Sequence, residues 1–252
     1  MIRVRAGGRE LSAAAFVFDK DGLMFESQQF WKTLVDGRLV RFAETEDAGF
    51  LAEWCRVLGV TLDGDGRAAW VDPKGIFAMA PVPAEMAVTA GLIVQRRGLP
   101  WDEAFGIAAK AFDDADREMD LSRALRPRKG FPGILRRMRE RGIPYGVATS
   151  DTLARATASL RLFDDPEGPA FILTPADVDR GKPAPDMLFM AAERFSAPPE
   201  DIVMVGDSYV DMDMAVRAGA SFIGVPETGE MRQRMVCGGA VVVDDLDEIE
   251  FL

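Results

Sequence analysis

The chain has no histidine among its 252 residues. Ser-His-Asp hydrolases, Cys-His proteases, His-ligated zinc enzymes and His-based acid–base chemistry are thereby excluded in their usual forms. Cysteine is nearly as scarce. Cys55 and Cys237 stand far apart without metal-ligand spacing and are expected as small buried hydrophobes in a reduced compartment. Basic residues are in deficit, 30 against 41 acidic, for a formal net charge of −11. Binding a nucleic-acid backbone relies on clustered Lys and Arg, so no nucleic-acid partner is expected, while a local site for one small anion is allowed. No apolar run reaches membrane-spanning length, and Met1 to Gly8 carries no signal-peptide apolar core. A cytoplasmic protein with no membrane partner is expected. What remains for chemistry is carboxylates, Lys, Arg, hydroxyls and an oxygen-ligated metal.

A hydrophobic content of 48% over this length suits one large α/β domain, or a core with a smaller companion. Ala14 to Asp19 is a short apolar run that ends in an acid and a turn-like Lys-Asp-Gly, as a buried parallel strand does where it emerges. Met1 to Leu11 adds an extra strand or hairpin. From about Ser27 to Leu125 the pattern is helical, at Phe30, Leu34 and Val35, then Phe50, Leu51, Trp54 and Leu58, then Ala87 to Gln95 and Phe105 to Phe112. No strand is expected there. The Gly-, Asp- and Pro-rich stretch Gly59 to Pro83 reads as a long loop, and Asp63-Gly64-Asp65-Gly66 as a plain turn, since a calcium loop would need further ligands and a closing Glu.

After Pro127 strands and helices alternate. Strands are expected at Tyr145–Thr149, Phe171–Thr174, Ile202–Val205, Phe222–Val225 and Ala240–Val243. Helices are expected at Gly133–Arg141, Leu153–Leu160, Asp186–Phe195 and Val210–Ala218. Short apolar runs separated by helices predict an α/β fold, a Rossmann-like parallel sheet with helices on both faces. The first strand joins the same sheet, so the helical stretch is an insertion. Residues 1–25 and 127–252 form the core and residues 26–126 the inserted domain.

In an open α/β sheet ligands sit beyond the carboxyl ends of the strands. The residues there are Asp19 and Asp21, then Thr149, Ser150 and Asp151, then Gly206-Asp207-Ser208 with Asp211 beyond, and Gly181-Lys182-Pro183 before a helix. Each alone has an ordinary explanation. Asp-x-Asp-Gly is a common turn, Gly-Asp-Ser and Thr-Ser are common helix caps, and a single Lys is most often solvated. Together they are groups that bind phosphate or Mg²⁺, or that attack phosphorus.

These motifs resemble those of the haloacid dehalogenase superfamily, in its phosphatase branch with a helical cap inserted after the first core strand. Phe16-Val17-Phe18-Asp19-Lys20-Asp21-Gly22-Leu23 is similar to the family's first motif and Thr149 to its second. Gly181-Lys182-Pro183-Ala184-Pro185-Asp186 resembles the third, and Gly206-Asp207-Ser208-Tyr209-Val210-Asp211 the fourth. The resemblance covers roughly residues 14–26 and 127–245; the cap carries almost no signature. It implies a Mg²⁺-dependent phosphatase acting on a small phosphorylated metabolite, as a monomer or homodimer.

Under that resemblance Asp19 is the nucleophile and forms an aspartyl-phosphate, and Asp21 is the general acid and base. Asp19, the backbone carbonyl of Asp21, and Asp207 would hold Mg²⁺, and Asp211 is either a further ligand or an acceptor for waters on the metal. Thr149, with the backbone N–H groups of Gly22 and Ser150, would bind phosphoryl oxygens, and Lys182 would offset the negative charge. Asp21 disfavours carbon–halogen cleavage, because dehalogenases lack that acid, and phosphonate-cleaving members replace it too. A β-phosphoglucomutase-like sugar-phosphate mutase is the runner-up, weakened because Trp31 stands near the position of the mutases' cap His. A catalytically silent binding protein is the third reading. Trp31, Arg67, Trp70 and Lys74 are the cap candidates for reading the leaving group.

Overall fold

The computed structural model describes residues 1–163 and 168–252. The chain divides into two compact units, Met1–Glu26 with Arg126–Leu252, and Ser27–Leu125. The first unit begins with β1 (Ile2–Ala6) and β2 (Arg9–Ala13), an antiparallel hairpin turned by Gly7 and Gly8, both at positive φ. Next comes β3 (Ala15–Phe18), whose four residues are all buried.

The second unit opens with α1 (Ser27–Phe42) and α2 (Ala48–Leu58). Asp47 caps α2 by accepting from the Phe50 amide, and Gly59 in the left-handed region ends it. Then β4 (Val60–Leu62) and β5 (Ala68–Val71) pair antiparallel. This corrects the expectation of a strand-free loop from Gly59 to Pro83. The Asp63 carboxylate accepts the amides of Asp65 and Arg67, at 2.9 and 3.0 Å, so Asp63 to Gly66 turns the hairpin. Flanking strands of three and four residues are too short to show an alternating pattern.

The unit continues through α3 (Ile76–Met79), α4 (Val82–Arg97), α5 (Trp101–Glu118) and α6 (Leu121–Ala124). Its core is aromatic: the Phe42 ring lies 5.5 Å from Phe50 and from Trp54, and 6.2 Å from Phe112. The buried Arg38 guanidinium stacks 3.8 Å from the Phe112 centroid and pairs with Glu85 at 2.6 Å.

The first unit resumes with α7 (Gly133–Glu140), β6 (Tyr145–Ala148), α8 (Leu153–Arg161), β7 (Ile172–Leu173) and α9 (Asp186–Phe195). It ends with β8 (Ile202–Gly206), α10 (Tyr209–Ala218), β9 (Ser221–Gly224), α11 (Gly229–Cys237), β10 (Val241–Val242) and β11 (Glu250–Phe251). The expected strands are all present, displaced or trimmed by a residue or so at their ends. Six strands form a parallel sheet in the order β10-β9-β8-β3-β6-β7, and β11-β1-β2 form a separate antiparallel sheet. Cys55 is buried, but Cys237 is exposed at the end of α11, whose buried residue is Met235. The expectation of two buried thiols is corrected for Cys237.

The period of two along β3 sends its side chains to opposite faces. Ala15 and Val17 join a cluster with Met187, Leu188 and Ala191 of α9 and Met214 and Ala215 of α10. Phe16 and Phe18 pack elsewhere, Phe16 edge-on against Phe251 at 5.4 Å and Phe18 against Tyr145 at 6.3 Å. The strand that delivers Asp19 is therefore clamped from both faces. Phe16→Ala, emptying a fully buried site, is expected to lower unfolding free energy by about 3–5 kcal/mol. Urea denaturation with an unchanged slope against denaturant would measure it.

Candidate active site

Because β3 pairs with both β6 and β8, the carboxyl ends of three strands lie side by side. Asp19 directly follows β3, and its amide still donates to Val205 O at 2.9 Å. Thr149 follows β6 and donates its amide to Leu173 O, also at 2.9 Å. Asp207 follows β8, and the next residue, Ser208, caps α10. Each backbone position is thus fixed by the sheet ladder or a helix cap.

One cation ties the acids together. The buried Lys182 ammonium, in the turn before α9, is 2.6 Å from Asp19 Oδ1 and 2.7 Å from Asp211 Oδ1. The other oxygen of Asp211 accepts from the Ser208 hydroxyl at 2.7 Å and the Ser208 amide at 3.3 Å, completing a capping box. Both Asp211 oxygens are therefore engaged within the protein.

Carboxylate oxygens of Asp19, Asp207 and Asp211 all lie within 4.8 Å of one another. Two unit charges at that separation repel by about 3 kcal/mol at an effective dielectric of about 20. Burial, opposed by Lys182 and reinforced by Asp211 and Asp21, raises Asp19 to about 7. Burial and the charges of Asp19 and Asp211 push Asp207 well above the usual carboxylate range. Burial acts to lower Lys182, yet Asp19 and Asp211 together raise it above an ordinary lysine, so it stays charged.

Three acids around one ammonium leave net negative charge, and an all-oxygen donor set of this size suits a hard divalent cation such as Mg²⁺. A Cβ on Gly22, whose φ is +84°, would fall only 2.2 Å from an Asp207 carboxylate oxygen. The first motif's glycine is thus needed to let that carboxylate close on the loop after β3. The residues present fit a Mg²⁺ site.

The other expected residues are placed as follows. Asp21 is partly buried, with Oδ1 2.5 Å from the Lys20 ammonium. The buried Thr149 hydroxyl accepts the Asp151 amide at 3.1 Å, and Ser150 beside it is exposed. The Gly22 amide donates to Phe25 O at 2.8 Å within the turn after β3. Trp31 on α1 is half-buried, and Arg67, Trp70 and Lys74 are exposed; all four belong to the second unit.

Two charged residues near the acids escape a reading of the motifs. Lys20 carries only the weak signal of a lysine between two acids. Arg128 carries none: its guanidinium donates to the carbonyls of Gly22 and, at 2.8 Å, Val225, residues 106 and 97 positions away. It ties the loop after β3 to the segment after β9.

A family model described as haloacid dehalogenase-like hydrolase matches residues 13–219. The chain belongs to this family. Phosphoglycolate phosphatase of Escherichia coli K12 is 30% identical over 98 residues, which are 38% of this chain and 39% of that protein. The first curated relatives are matched over only 39–44% of their own length. Among solved structures, a Thermotoga maritima protein provisionally named as a beta-phosphoglucomutase aligns with a TM-score of 0.61 at 19% identity, covering 93% of this chain and 95% of that one. A HAD family hydrolase from Deinococcus radiodurans R1, solved with bound phosphate and sodium, aligns with a TM-score of 0.55 at 22% identity, over 93% and 91% of the two chains. At these identities the structural likeness is one of fold. Among the described residues, no helix is long and apolar enough to cross a membrane.

The raised acids set a pH dependence. A carboxyl with a raised folded-state pKa holds its proton more tightly in the folded chain, so stability is greatest below the ordinary value of 3.8 and declines as pH rises through about 7. In EDTA, the Asp19 contribution should therefore fall between pH 4 and about 7, and that of Asp207 should fall as pH rises above the ordinary carboxylate value. The Asp207→Asn variant should melt higher than wild type in EDTA at pH 8 and gain less from added Mg²⁺. Thermal melts of both proteins across that range check the sign.

Proposed function

We propose that the protein is a Mg²⁺-dependent phosphomonoesterase acting on a small phosphorylated metabolite through an aspartyl-phosphate on Asp19. The observation that carries this reading is the Asp19–Lys182–Asp211 cluster, with Asp207 beside it, at the centre of the sheet's carboxyl edge. A carboxylate approaching a phosphate ester meets like charge, and Mg²⁺ held by Asp19, Asp207 and the Asp21 carbonyl would neutralise both partners. Asp211, its oxygens already committed to Lys182 and Ser208, supports that site by fixing the lysine.

In the first step an Asp19 oxygen forms a bond to phosphorus while the bond from phosphorus to the ester oxygen breaks. The electron pair stays on the departing oxygen, which takes a proton from the Asp21 carboxyl. In the second step a water gives a proton to the Asp21 carboxylate as its oxygen attacks phosphorus. The bond to Asp19 breaks, and phosphate leaves with both carboxyls restored. Burial raises Asp21 above the ordinary carboxylate value, against the pull of Lys20, in the direction a general acid requires. Thr149, at the end of the neighbouring strand, is assigned to a phosphoryl oxygen. Selection of the leaving group falls to the inserted cap, with Trp31, Arg67, Trp70 and Lys74 as candidates. The substrate class is left at small phosphate esters, the chemistry named for the Escherichia coli relative being one of them.

A panel of 2-phosphoglycolate, glycerol 3-phosphate, hexose phosphates, nucleoside monophosphates and p-nitrophenyl phosphate tests the reading, with Mg²⁺ or with EDTA. Phosphate release is expected only with Mg²⁺, and Asp19→Asn should lower it roughly 10³-fold or more. Release that persists undiminished in Asp19→Asn would sink the mechanism. An isomerised sugar phosphate without free phosphate would indicate a mutase instead.

A further inference from the structure

A second set of charges surrounds Asp21, on residues that the proposed reaction leaves without a task. Lys20, between the two motif acids, is 0% exposed. Its ammonium lies 2.5 Å from Asp21 Oδ1 and 2.9 Å from Asp151 Oδ2. Asp151 Oδ1 accepts from Arg155 Nε and from the Thr152 amide, each at 2.7 Å. The Phe25 ring, its centroid 5.9 Å from the ammonium, forms an apolar wall. The result is a line of alternating charge, Asp21–Lys20–Asp151–Arg155, anchored at its far end on the first turn of α8.

Stability is a poor reason for this arrangement. Burying an ammonium and a carboxylate costs several kcal/mol per ion before pairing, and an apolar side chain would fill the same space without that penalty. What an ion pair supplies and a leucine does not is direction. A lysine ammonium is donor only, so the oxygen it faces must act as acceptor. With Oδ1 of Asp21 so engaged, the acidic proton of the neutral carboxyl is confined to Oδ2. Asp151, itself fixed by Arg155 and the Thr152 amide, keeps the ammonium from following the carboxyl if it turns.

We propose that Lys20, anchored by Asp151, is a positioning residue that holds the Asp21 carboxyl by Oδ1 and presents Oδ2 for proton transfer to and from the reacting oxygens. This inference rests on the phosphatase reading, and it goes beyond that reading by giving a role to the residue between the two acids of the first motif.

The test compares leaving groups. An alkyl phosphate needs its departing oxygen protonated, whereas p-nitrophenolate leaves without help, and kcat/KM reports only the steps up to the first irreversible one. In Lys20→Met, kcat/KM for the most reactive alkyl ester of the panel should fall roughly 10- to 100-fold, a share of what general acid catalysis contributes. For p-nitrophenyl phosphate it should stay within about threefold of wild type. Asp151→Asn, which keeps its volume and loses the anchoring charge, should show the same selectivity to a smaller degree, and serves alone if Lys20→Met does not fold. Equal losses on both esters, or no loss on either, in a chain that melts normally would overturn the inference and leave the phosphatase reading standing. A wild type inactive on every ester overturns the reading and the inference together.

Discussion

The site depends on one buried ammonium. Lys182 reaches Asp19 and Asp211 from the turn before α9, a different βα unit from either acid. Without it three carboxylates would face one another within 4.8 Å, with no hydrogen-bonded protein cation among the described residues. Such a cluster can persist only by taking up protons, by opening, or by binding a cation. Lys182 offsets part of the charge, and the remainder makes a divalent cation fit. The same residual charge makes the site unfavourable at neutral pH without a bound cation, so the proposed affinity for Mg²⁺ and the cost of its absence would have one origin.

Topology is what allows the convergence. β3 lies inside the six-stranded sheet, between β8 and β6, so one strand end carries Asp19 and Asp21 while its neighbours carry Asp207 and Thr149. This is also where successive connections diverge to opposite sides, the place at which open parallel sheets form a crevice. Insertion of the second unit follows the loop after β3, at Ser27, so about a hundred residues intervene without disturbing the ladder. The tolerance has a local basis: Phe25 bridges Pro127, and the Glu26 amide donates to Arg126 O, so the two crossings of the boundary are hydrogen-bonded to each other.

Legibility in the sequence followed the range of the interactions. β3, β6 and β8 are fully buried apolar runs ending in polar residues, so strand, direction and candidate site residues could be read together. The missing histidines narrowed the chemistry further. The β4–β5 hairpin was not legible, because its strands are too short for alternation and its turn residues also suit a loop. Gly22 was legible as a turn residue, but the reason for it, the Asp207 carboxylate against its Cα, joins positions 185 residues apart. Arg128 joins loops just as distant, and no local pattern marks it. Lys182 stood in a motif; that it would bridge two acids required the fold.

In the proposed mechanism the two motif acids, two residues apart, require different behaviour, Asp19 as nucleophile and Asp21 as proton donor. Their separation is electrostatic more than spatial. Asp19 belongs with Lys182, Asp211 and Asp207 on the β8 side, where a cation is accommodated. Asp21 belongs with Lys20, Asp151 and Arg155 on the β6 side, in a line of alternating charge. Asp151 is held below its ordinary pKa by Lys20 and Arg155 despite burial, so it remains a charged anchor while Asp21 shifts upward. A metal on one side can therefore change the state of Asp19 without being needed to orient Asp21. Placing a lysine between the acids turns a three-residue stretch of strand end into two sites that can be tuned separately.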